Sequence, residues 1–329
     1  MWQMLSKITK QGTLERAIAM KLSSPLRPLV LYHRVVFRLV VGYWPHLHQP
    51  RSFTEKILWL RLYFDDPRLV SLTDKLSARE YVRRVTPEVC IPQSSFAVDN
   101  ADDIPFDQLP DKCVIKSTFG EGARHIIFFD RTSSDPYEVR QRCREWLAER
   151  PRGSREKWPF ERIYQGRSRQ VFEEELLTDD QGRIPKDYKI YVFHGCAKFL
   201  VVICDRFSNA TRTYYDTSWN LLDMRTGGYP SVPDIPKPTR LQDMLRVAER
   251  LASDLPFVRV DLYVINEELY FSELTLYPGT GPFEPQRFDF EFGAQLTLPV
   301  PLKRRGRRGR SISGLCSRSV QGEPRDTNT

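Results

Sequence analysis

The sequence contains few residues of the kinds that bind metals or form covalent cross-links. It has six cysteines and five histidines among 329 residues, and the cysteines are scattered without a Cys-x-x-Cys pair. Scattered thiols are typical of a reduced, cytosolic protein, and they provide neither a disulfide framework nor a zinc site. The one close histidine pair, His46 and His48, lies between Pro45 and Pro50, which favours a loop over a metal site.

The sequence also lacks a hydrophobic run long enough to cross a membrane. Its most apolar stretch, Leu29 to Trp44, is short and is interrupted by His33, Arg34 and Arg38. The charged, amphipathic N-terminus does not have the pattern of a secretory signal. We therefore expect a cytoplasmic protein whose N-terminal segment forms a packed helix. The alternative is a helix that contacts the inner face of the membrane through apolar residues, Lys and Arg.

The positive charge of the chain is concentrated at its two ends. Residues 1–50 carry seven Lys/Arg against one acidic residue, and residues 303–329 carry eight against two, so each segment has a net charge of about +6. The total is +8, which leaves residues 51–302 with about −4. Because nucleic-acid binding requires a basic face, the acidic middle argues against a nucleic-acid-binding core. We predict an N-terminal helical segment (1–50), a folded domain (51–302) and a disordered basic tail (303–329). The tail is expected to be solvated; the alternative is that it contacts anionic lipid or nucleic acid.

Hydrophobic periodicity predicts a mixture of helices and strands and no internal repeat. Apolar residues at helical spacing predict helices at 53–65, 74–85, 135–149 and 241–255. Apolar and alternating runs between turn residues predict strands at 112–117, 125–129, 169–177, 187–195, 196–206, 257–265 and 268–278. The fold class is therefore α+β.

The last predicted hairpin places two carboxylates against each other. Alternation puts Arg259 and Asp261 on one face of the first strand, with Tyr263, and puts Phe271, Glu273, Thr275 and Tyr277 on one face of the second. A three-residue turn at residues 266–268 would set Asp261 opposite Glu273. Like charges in this position destabilise a sheet unless a cation lies between them, and oxygen ligands favour magnesium. The alternative is a salt bridge from Arg259 to either acid on a solvent-exposed face.

Three further segments carry polar groups at chemically useful positions. Lys116 ends an apolar strand just before Gly120 and Gly122, whose backbone amides could approach a phosphate; a plain hairpin turn is the alternative. Residues 173–175 are three consecutive glutamates at the end of another strand, where solvation is the alternative to ligand binding. Lys189 alternates with apolar residues and is either a phosphate contact or a surface lysine. The sequence has no Walker or dinucleotide-binding pattern, no Asp-x-Asp motif, and no recognisable Ser/His/Asp or Cys/His arrangement.

Taken in order, these segments resemble the ATP-grasp superfamily, and specifically its TupA-like branch, named for teichuronopeptide biosynthesis. The motifs that carry the resemblance are SFTEKILWLRLY (52–63), TDKLSAREYV (73–82), VIKSTFGEGARHI (114–126), VFEEELL (171–177), DYKIYVFHG (187–195), FVRVDLY (257–263) and YFSELTLYPGTG (270–281). The resemblance covers about residues 50–300 and implies an ATP-grasp fold at 51–302, in which two α+β subdomains clasp a nucleotide cleft. Such sequences are often labelled polysaccharide biosynthesis proteins or glycosyltransferases.

The resemblance also implies roles for individual residues. Lys75 and Lys116 match the lysines that bind ATP phosphates, and residues 119–124, with Gly120 and Gly122, match the loop that covers them. The matches to the adenine and ribose contacts are Glu173, Glu174 and Leu176. The matches at the reacting phosphate are Lys189 and Arg259 as catalytic cations and Asp261 and Glu273 as magnesium ligands. Thr275 occupies the position of a third ligand, where many ATP-grasp enzymes have Asn, so the second ion should be held less tightly. Helices replace the separate N-terminal α/β domain that is common in the superfamily.

The activity that the resemblance implies is an ATP- and Mg²⁺-dependent, ADP-forming ligation of a carboxylate to an amine through an acyl phosphate. The expected substrate is a small molecule or a bacterial surface-polysaccharide precursor. The alternatives are a kinase or glycosyltransferase of the same pathway and a non-catalytic nucleotide-binding protein on the same fold.

Overall fold

The structure is a computed structural model that describes residues 27–120, 122–149, 163, 167–279 and 281–299. These residues belong to one compact unit, which ends at Pro299. The predicted tail at 303–329 and the first half of the predicted N-terminal segment lie outside the described residues.

Seven α-helices occur in the described part of the chain. They are α1 (Arg27–Val41), α2 (Phe53–Tyr63), α3 (Arg68–Thr73), α4 (Lys75–Val85), α5 (Pro136–Ala148), α6 (Leu241–Leu251) and α7 (Arg287–Gln295). The predicted helices α2, α4, α5 and α6 are confirmed. Polar caps fix the starts of two of them: Ser52 and Glu55 form a capping box at α2, and Asp74 accepts hydrogen bonds from two amides of α4. Across these described segments, no helix is long and apolar enough to cross a bilayer.

The larger of the two sheets is antiparallel and has six strands. In chain order they are β5 (Asp187–Phe193), β6 (Cys196–Cys204), β7 (Thr211–Asp216), β8 (Leu221–Leu222), β9 (Phe257–Ile265) and β10 (Glu268–Thr275), and their spatial order is β10-β9-β5-β6-β7-β8. One face packs on the apolar side of α6 and on α2. Phe53 of α2 is fully buried there and stacks on Phe193 and Phe283 at centroid distances of 5.5 and 5.4 Å. The opposite face of β5, β9 and β10 is consequently free to carry polar side chains.

The smaller sheet has four strands: β1 (Ala97–Val98), β2 (Lys112–Ser117), β3 (Ile126–Asp130) and β4 (Val171–Glu175), in the spatial order β1-β4-β2-β3. It has its own core, in which Ile115 and Val171 pack with Cys143 and Trp146 of α5. Two sheets with separate cores confirm the expected pair of α+β subdomains.

The β9–β10 hairpin pairs Asp261 with Glu273 as predicted, but the predicted turn is wrong. The turn has two residues, Asn266 and Glu267, both at positive φ, and Ile265 pairs with Glu268. A β-bulge between Phe271 and Glu273 then supplies the extra residue that brings Glu273 opposite Asp261. Because of the bulge, Phe271 does not share the face of Glu273. It pairs with Leu262 and is buried in the core, since an apolar ring is most stable there.

Candidate functional site

A cleft lies between the two sheets and encloses about 830 Å³, part of it open to solvent. Its walls come from β2, β3 and β4 of the small sheet, from α4, and from β9 and β10 of the large sheet. The residues predicted from the sequence that line it are Lys75, Lys116, Gly120, Gly122, Glu174, Leu176 and Glu273. The other five predicted residues, Glu173, Lys189, Arg259, Asp261 and Thr275, are not among its lining residues.

On the large sheet, charged side chains form a row across three neighbouring strands. Lys189 of β5 pairs in register with Asp261 of β9, which pairs in turn with Glu273 of β10. The ammonium group of Lys189 donates a hydrogen bond to Asp261. In the adjacent row, Arg259 donates to both carboxylate oxygens of Asp261 at 2.6 and 2.7 Å and lies 3.4 Å from Oε1 of Glu273. The cation between the two acids in this structure is therefore the Arg259 guanidinium.

The row is largely removed from water, in contrast to the solvent-exposed salt bridge considered above. The side chain of Asp261 is fully buried, and those of Lys189 and Arg259 are only 8% and 14% exposed. The surface-lysine alternative for Lys189 is therefore wrong. Glu273 is 38% exposed and faces the cleft. Burial raises the pKa of its carboxyl, but Arg259, Lys189 and Lys75 outweigh burial and lower that pKa to about 2.

Thr275 does not face the cleft as a free ligand. Its hydroxyl donates to Oε1 of Glu273 at 2.7 Å and accepts a hydrogen bond from Arg259 at 2.8 Å. The side chain therefore holds Glu273 and Arg259 in their relative positions.

Two charged residues that were not predicted complete the polar face of the large sheet. Asp187 of β5 is 1% exposed and pairs with Lys189 at 2.7 Å and with Arg206 at 2.9 Å. Its Oδ1 atom is buried and has no hydrogen-bond partner. Asp187 lies two residues before Lys189, so the alternation of β5 places both on one face and could have identified Asp187. Arg206 lies beyond the end of β6, where no sequence pattern indicated it.

On the small sheet, Glu174 is held between two cations. Lys116 of β2 bonds one of its carboxylate oxygens and Arg79 of α4 bonds the other. Arg79, also unpredicted, is 6% exposed and lies one helical turn after Lys75, so helical spacing could have identified it. The Glu174 carboxylate thus neutralises two cleft-lining cations.

Glu173 points away from the cleft, contrary to the role expected for its side chain. Successive side chains of β4 alternate between the two faces of the sheet, so Glu173 and Glu174 diverge. The carboxylate of Glu173 accepts hydrogen bonds from the amide and hydroxyl of Ser95 at 2.6 and 2.7 Å.

The glycine-containing segment closes the cleft beside Lys75. The ammonium group of Lys75 donates to the carbonyl oxygen of Gly120 at 2.5 Å. Burial lowers the pKa of this lysine to about 8. Gly120 has no room for a side chain, since an added Cβ would lie 2.2 Å from Cβ and Cγ of His125. Gly122 begins a single 3₁₀ turn, Gly122–His125, where the sequence suggested an open turn between strands; Glu121 lies outside the described residues.

A Ser-His-Glu row that sequence inspection missed supports this segment. Nδ1 of His125 lies 2.7 Å from the hydroxyl of Ser117, and Nε2 lies 3.2 Å from Glu149. The ring also stacks on Trp146 at 5.1 Å. Because Ser117 is completely buried, it cannot act as a nucleophile. The row instead fixes the ring against which Gly120 packs.

The donors for a magnesium ion can be tested against this geometry. No group of three or more His, Cys, Asp and Glu suited to a metal occurs among the described residues. Magnesium, however, commonly takes only one or two protein carboxylates and completes its shell with phosphates and water. Asp261 and Glu273 face each other, and no described residue donates a hydrogen bond to Oε2 of Glu273. The residues fit such an ion, with Glu273 as the donor accessible from the cleft; their ligand roles, like those of the ATP-contacting residues, stay predictions.

Comparison with solved structures found partial likenesses at low identity. D-alanine–D-alanine ligase from Bacillus anthracis complexed with ATP is 15% identical, with a TM-score of 0.37, over 63% of this chain and 54% of that chain. The ADP complex of PurK, N5-carboxyaminoimidazole ribonucleotide synthetase, is 12% identical, with a TM-score of 0.41, over 63% and 45%. The ATP-grasp ligase PsnB complexed with precursor peptide PsnA2 and AMPPNP is 14% identical, with a TM-score of 0.38, over 74% and 62%. The chain thus spans less than two thirds of the length of each structure.

Comparison with protein families gave a more extensive match. A search of curated proteins found no significant relative. The TupA-like ATP-grasp family matches residues 55–297, a range that includes both sheets and every predicted site residue. This match confirms the resemblance carried by the seven sequence motifs. The chain therefore belongs to the TupA-like ATP-grasp family.

Proposed function

We propose that the protein is an ATP- and Mg²⁺-dependent ligase that joins a carboxylate to an amine and forms ADP. The observation that carries the proposal is the composition of the cleft. Lys75, Lys116 and two glycines lie on its small-sheet side, and Glu273, backed by Asp261, lies on the large-sheet side. Phosphoryl transfer requires cations and positioned oxygen donors more than an acid–base pair, and this cleft supplies both.

The lysines are suited to hold the phosphates of ATP. Lys75 contacts the Gly120 carbonyl and is partly desolvated, so a phosphate would favour its charged form. Lys116 is paired with Glu174, and a phosphate can replace that partner because Arg79 still neutralises Glu174. The segment after β4, with Leu176, supplies apolar surface and backbone groups for the adenine.

On the large sheet, Arg259 and Lys189 fix the orientation of Asp261 and neutralise it. A magnesium ion held by Glu273, with Asp261 beside it in the sheet, would neutralise charge on the phosphate oxygens. In the proposed reaction, a carboxylate oxygen of the acceptor attacks the γ-phosphorus and the bond to the bridging oxygen of ADP breaks. The amine then attacks the acyl carbon, loses a proton, and inorganic phosphate leaves.

We further propose that the acceptor is a carboxylated saccharide or another precursor of a bacterial surface polysaccharide. The support for this step is the family alone, since its TupA-like branch is named for teichuronopeptide biosynthesis. The acidic balance of residues 51–302 does not favour nucleic acid as a substrate.

The proposal is tested by isotope transfer. The full chain is incubated with ATP, Mg²⁺, a candidate acceptor labelled with ¹⁸O in its carboxylate, and hydroxylamine as a general amine. A ligase acting through an acyl phosphate releases ADP, forms a hydroxamate and transfers one ¹⁸O to inorganic phosphate. A kinase would leave the phosphate on the product, and a glycosyltransferase would consume no ATP. A nucleotide-binding protein without activity would bind ATP and release no ADP with any acceptor. Any of these three results would contradict the proposal.

A variant pair links this activity to the site. Glu273→Gln should abolish ADP release while it preserves the fold, because Glu273 is partly exposed and its replacement is isosteric. Glu268→Gln, at an exposed position of the same strand, is the matched control and should retain full activity. Undiminished turnover in Glu273→Gln would refute the role assigned to this carboxylate.

A further inference from the structure

Helix α1 presents a face that combines exposed leucines with arginines. One side of the helix is anchored to the protein by His33 and Phe37, which are 4% and 6% exposed. The opposite side carries Leu31 and Leu39, which are 40% and 65% exposed. Arg34 and Arg38 are exposed as well, and their spacing of three and seven residues from Leu31 places both on the side of that leucine. Large apolar groups are thus held in water beside positive charges.

Trp44 extends this face beyond the end of the helix. Its ring is 50% exposed and lies 5.8 Å below the guanidinium of Arg34. Arg34 also borders a groove with Tyr63, His46 and His48. We call the surface formed by Leu31, Arg34, Arg38, Leu39 and Trp44 the α1 face.

The α1 face has no negative charge near it in the sequence. Residues 27–51 contain four arginines, three histidines and no aspartate or glutamate. The first acidic residue that follows, Glu55, is 1% exposed and accepts hydrogen bonds from the backbone amides of His46 and Arg51. The face is therefore positive, in contrast to the acidic balance of residues 51–302.

From this combination we infer that the α1 face binds the surface of an anionic lipid bilayer. Exposed leucines can enter the acyl boundary, a tryptophan is most stable at the level of the headgroups, and arginines pair with lipid phosphates. A nucleic acid would use the arginines but leave the leucines in water. The inference concerns a surface outside the cleft and does not depend on the proposed ligase activity.

The test is co-sedimentation of the full chain with vesicles of phosphatidylglycerol and, in parallel, of phosphatidylcholine. We expect binding to the anionic vesicles that weakens at high salt. Leu39→Glu should reduce the binding by about tenfold or more, since it removes an apolar side chain from the lipid and places a negative charge against anionic headgroups. Because Leu39 is 65% exposed, this variant should keep the thermal stability of the wild type. The matched control is Leu221→Glu, at a leucine that is 49% exposed on β8, which should bind like the wild type.

Two further measurements distinguish the α1 face from other causes of binding. Brominated lipid should quench the fluorescence of Trp44 in the wild type. The quenched part of the tryptophan emission should be the part that is missing in Trp44→Phe. If Leu39→Glu and Trp44→Phe bind as tightly and are quenched as much as the wild type, another basic segment binds the lipid and the inference is wrong. If sedimentation velocity shows a dimer that Leu39→Glu dissociates, the face binds a second copy of the chain, and the lipid assignment is likewise overturned.

Discussion

Replacement of Gly120 by alanine tests whether the glycine-containing segment and the His125 ring form one packed unit. The added Cβ would lie 2.2 Å from Cβ and Cγ of His125 and 2.5 Å from its Nδ1, whereas ordinary contacts begin at 3.4 Å. The ring cannot yield easily, because it is 5% exposed, stacks on Trp146 and contacts Ser117. The backbone at Gly120 must therefore move by roughly 1 Å.

Such a movement has two measurable consequences. Overpacking of this kind costs about 1–3 kcal/mol, which urea denaturation can resolve. The carbonyl of Gly120 would also leave the ammonium group of Lys75, now 2.5 Å away, so calorimetry should detect a loss of ATP affinity of about tenfold or more.

Two variants make the experiment decisive. Gly122→Ala is the matched control, because φ is +63° there but no atom lies within 4 Å of the added Cβ. It should cost only the backbone strain of about 1–2 kcal/mol and leave ATP affinity nearly unchanged. The double variant Gly120→Ala/His125→Gly should be about as stable as His125→Gly alone, since glycine removes the whole side chain, including the Cβ that the added methyl group would contact at 2.2 Å. Wild-type stability and affinity in Gly120→Ala, or a double variant clearly less stable than His125→Gly, would refute the assigned packing.

Three further outcomes follow from the electrostatics of the cleft. The folded state disfavours the protonated form of Lys75, because burial lowers its pKa from 10.5 to about 8. The unfolding free energy of the wild type relative to Lys75→Met should therefore rise by up to about 3 kcal/mol between pH 8 and pH 10.5. A difference in unfolding free energy that does not change with pH would contradict this. Arg259→Met should lower the unfolding free energy by about 3–5 kcal/mol in urea denaturation, because it leaves the buried Asp261 short of a partner; a loss below about 1 kcal/mol would exclude a structural role. Glu174→Gln should change ATP affinity by calorimetry and Glu173→Gln should not, because Glu174 lines the cleft and Glu173 does not; equal effects would contradict their assignment to opposite faces.

Alternation along strands was sufficient to locate the polar face of the large sheet. The period of two in β9 placed Arg259 with Asp261, and the same period in β5 placed Lys189 on its face. The turn could not be predicted in the same way. Its length depends on the bulge after Phe271, which forms because that ring reaches the core, a tertiary effect that local sequence does not contain.

Charge alone was a weaker guide than periodicity. Three consecutive glutamates gave no indication that Glu174 and Glu175 would line the cleft and Glu173 would not, since both faces of β4 offer polar partners. The cations Arg79 and Arg206 were missed for different reasons. Arg79 lies four residues after Lys75 in α4, a helical spacing that could have identified it. Arg206 contacts Asp187 only because β6 ends beside Asp187 in the folded sheet.

The extra residue in β10 has a consequence for deletions in this hairpin. The bulge means that the returning strand is one residue longer than its ladder needs. A chain shortened by Ser272 can therefore form a regular ladder in which Glu273 still opposes Asp261 and Phe271 still reaches the core. Loss of Leu274 instead turns the Thr275 hydroxyl inward and removes it from Arg259. Deletion of Ser272 should thus preserve the arrangement of the charged residues, whereas deletion of Leu274, two positions later, should disrupt it.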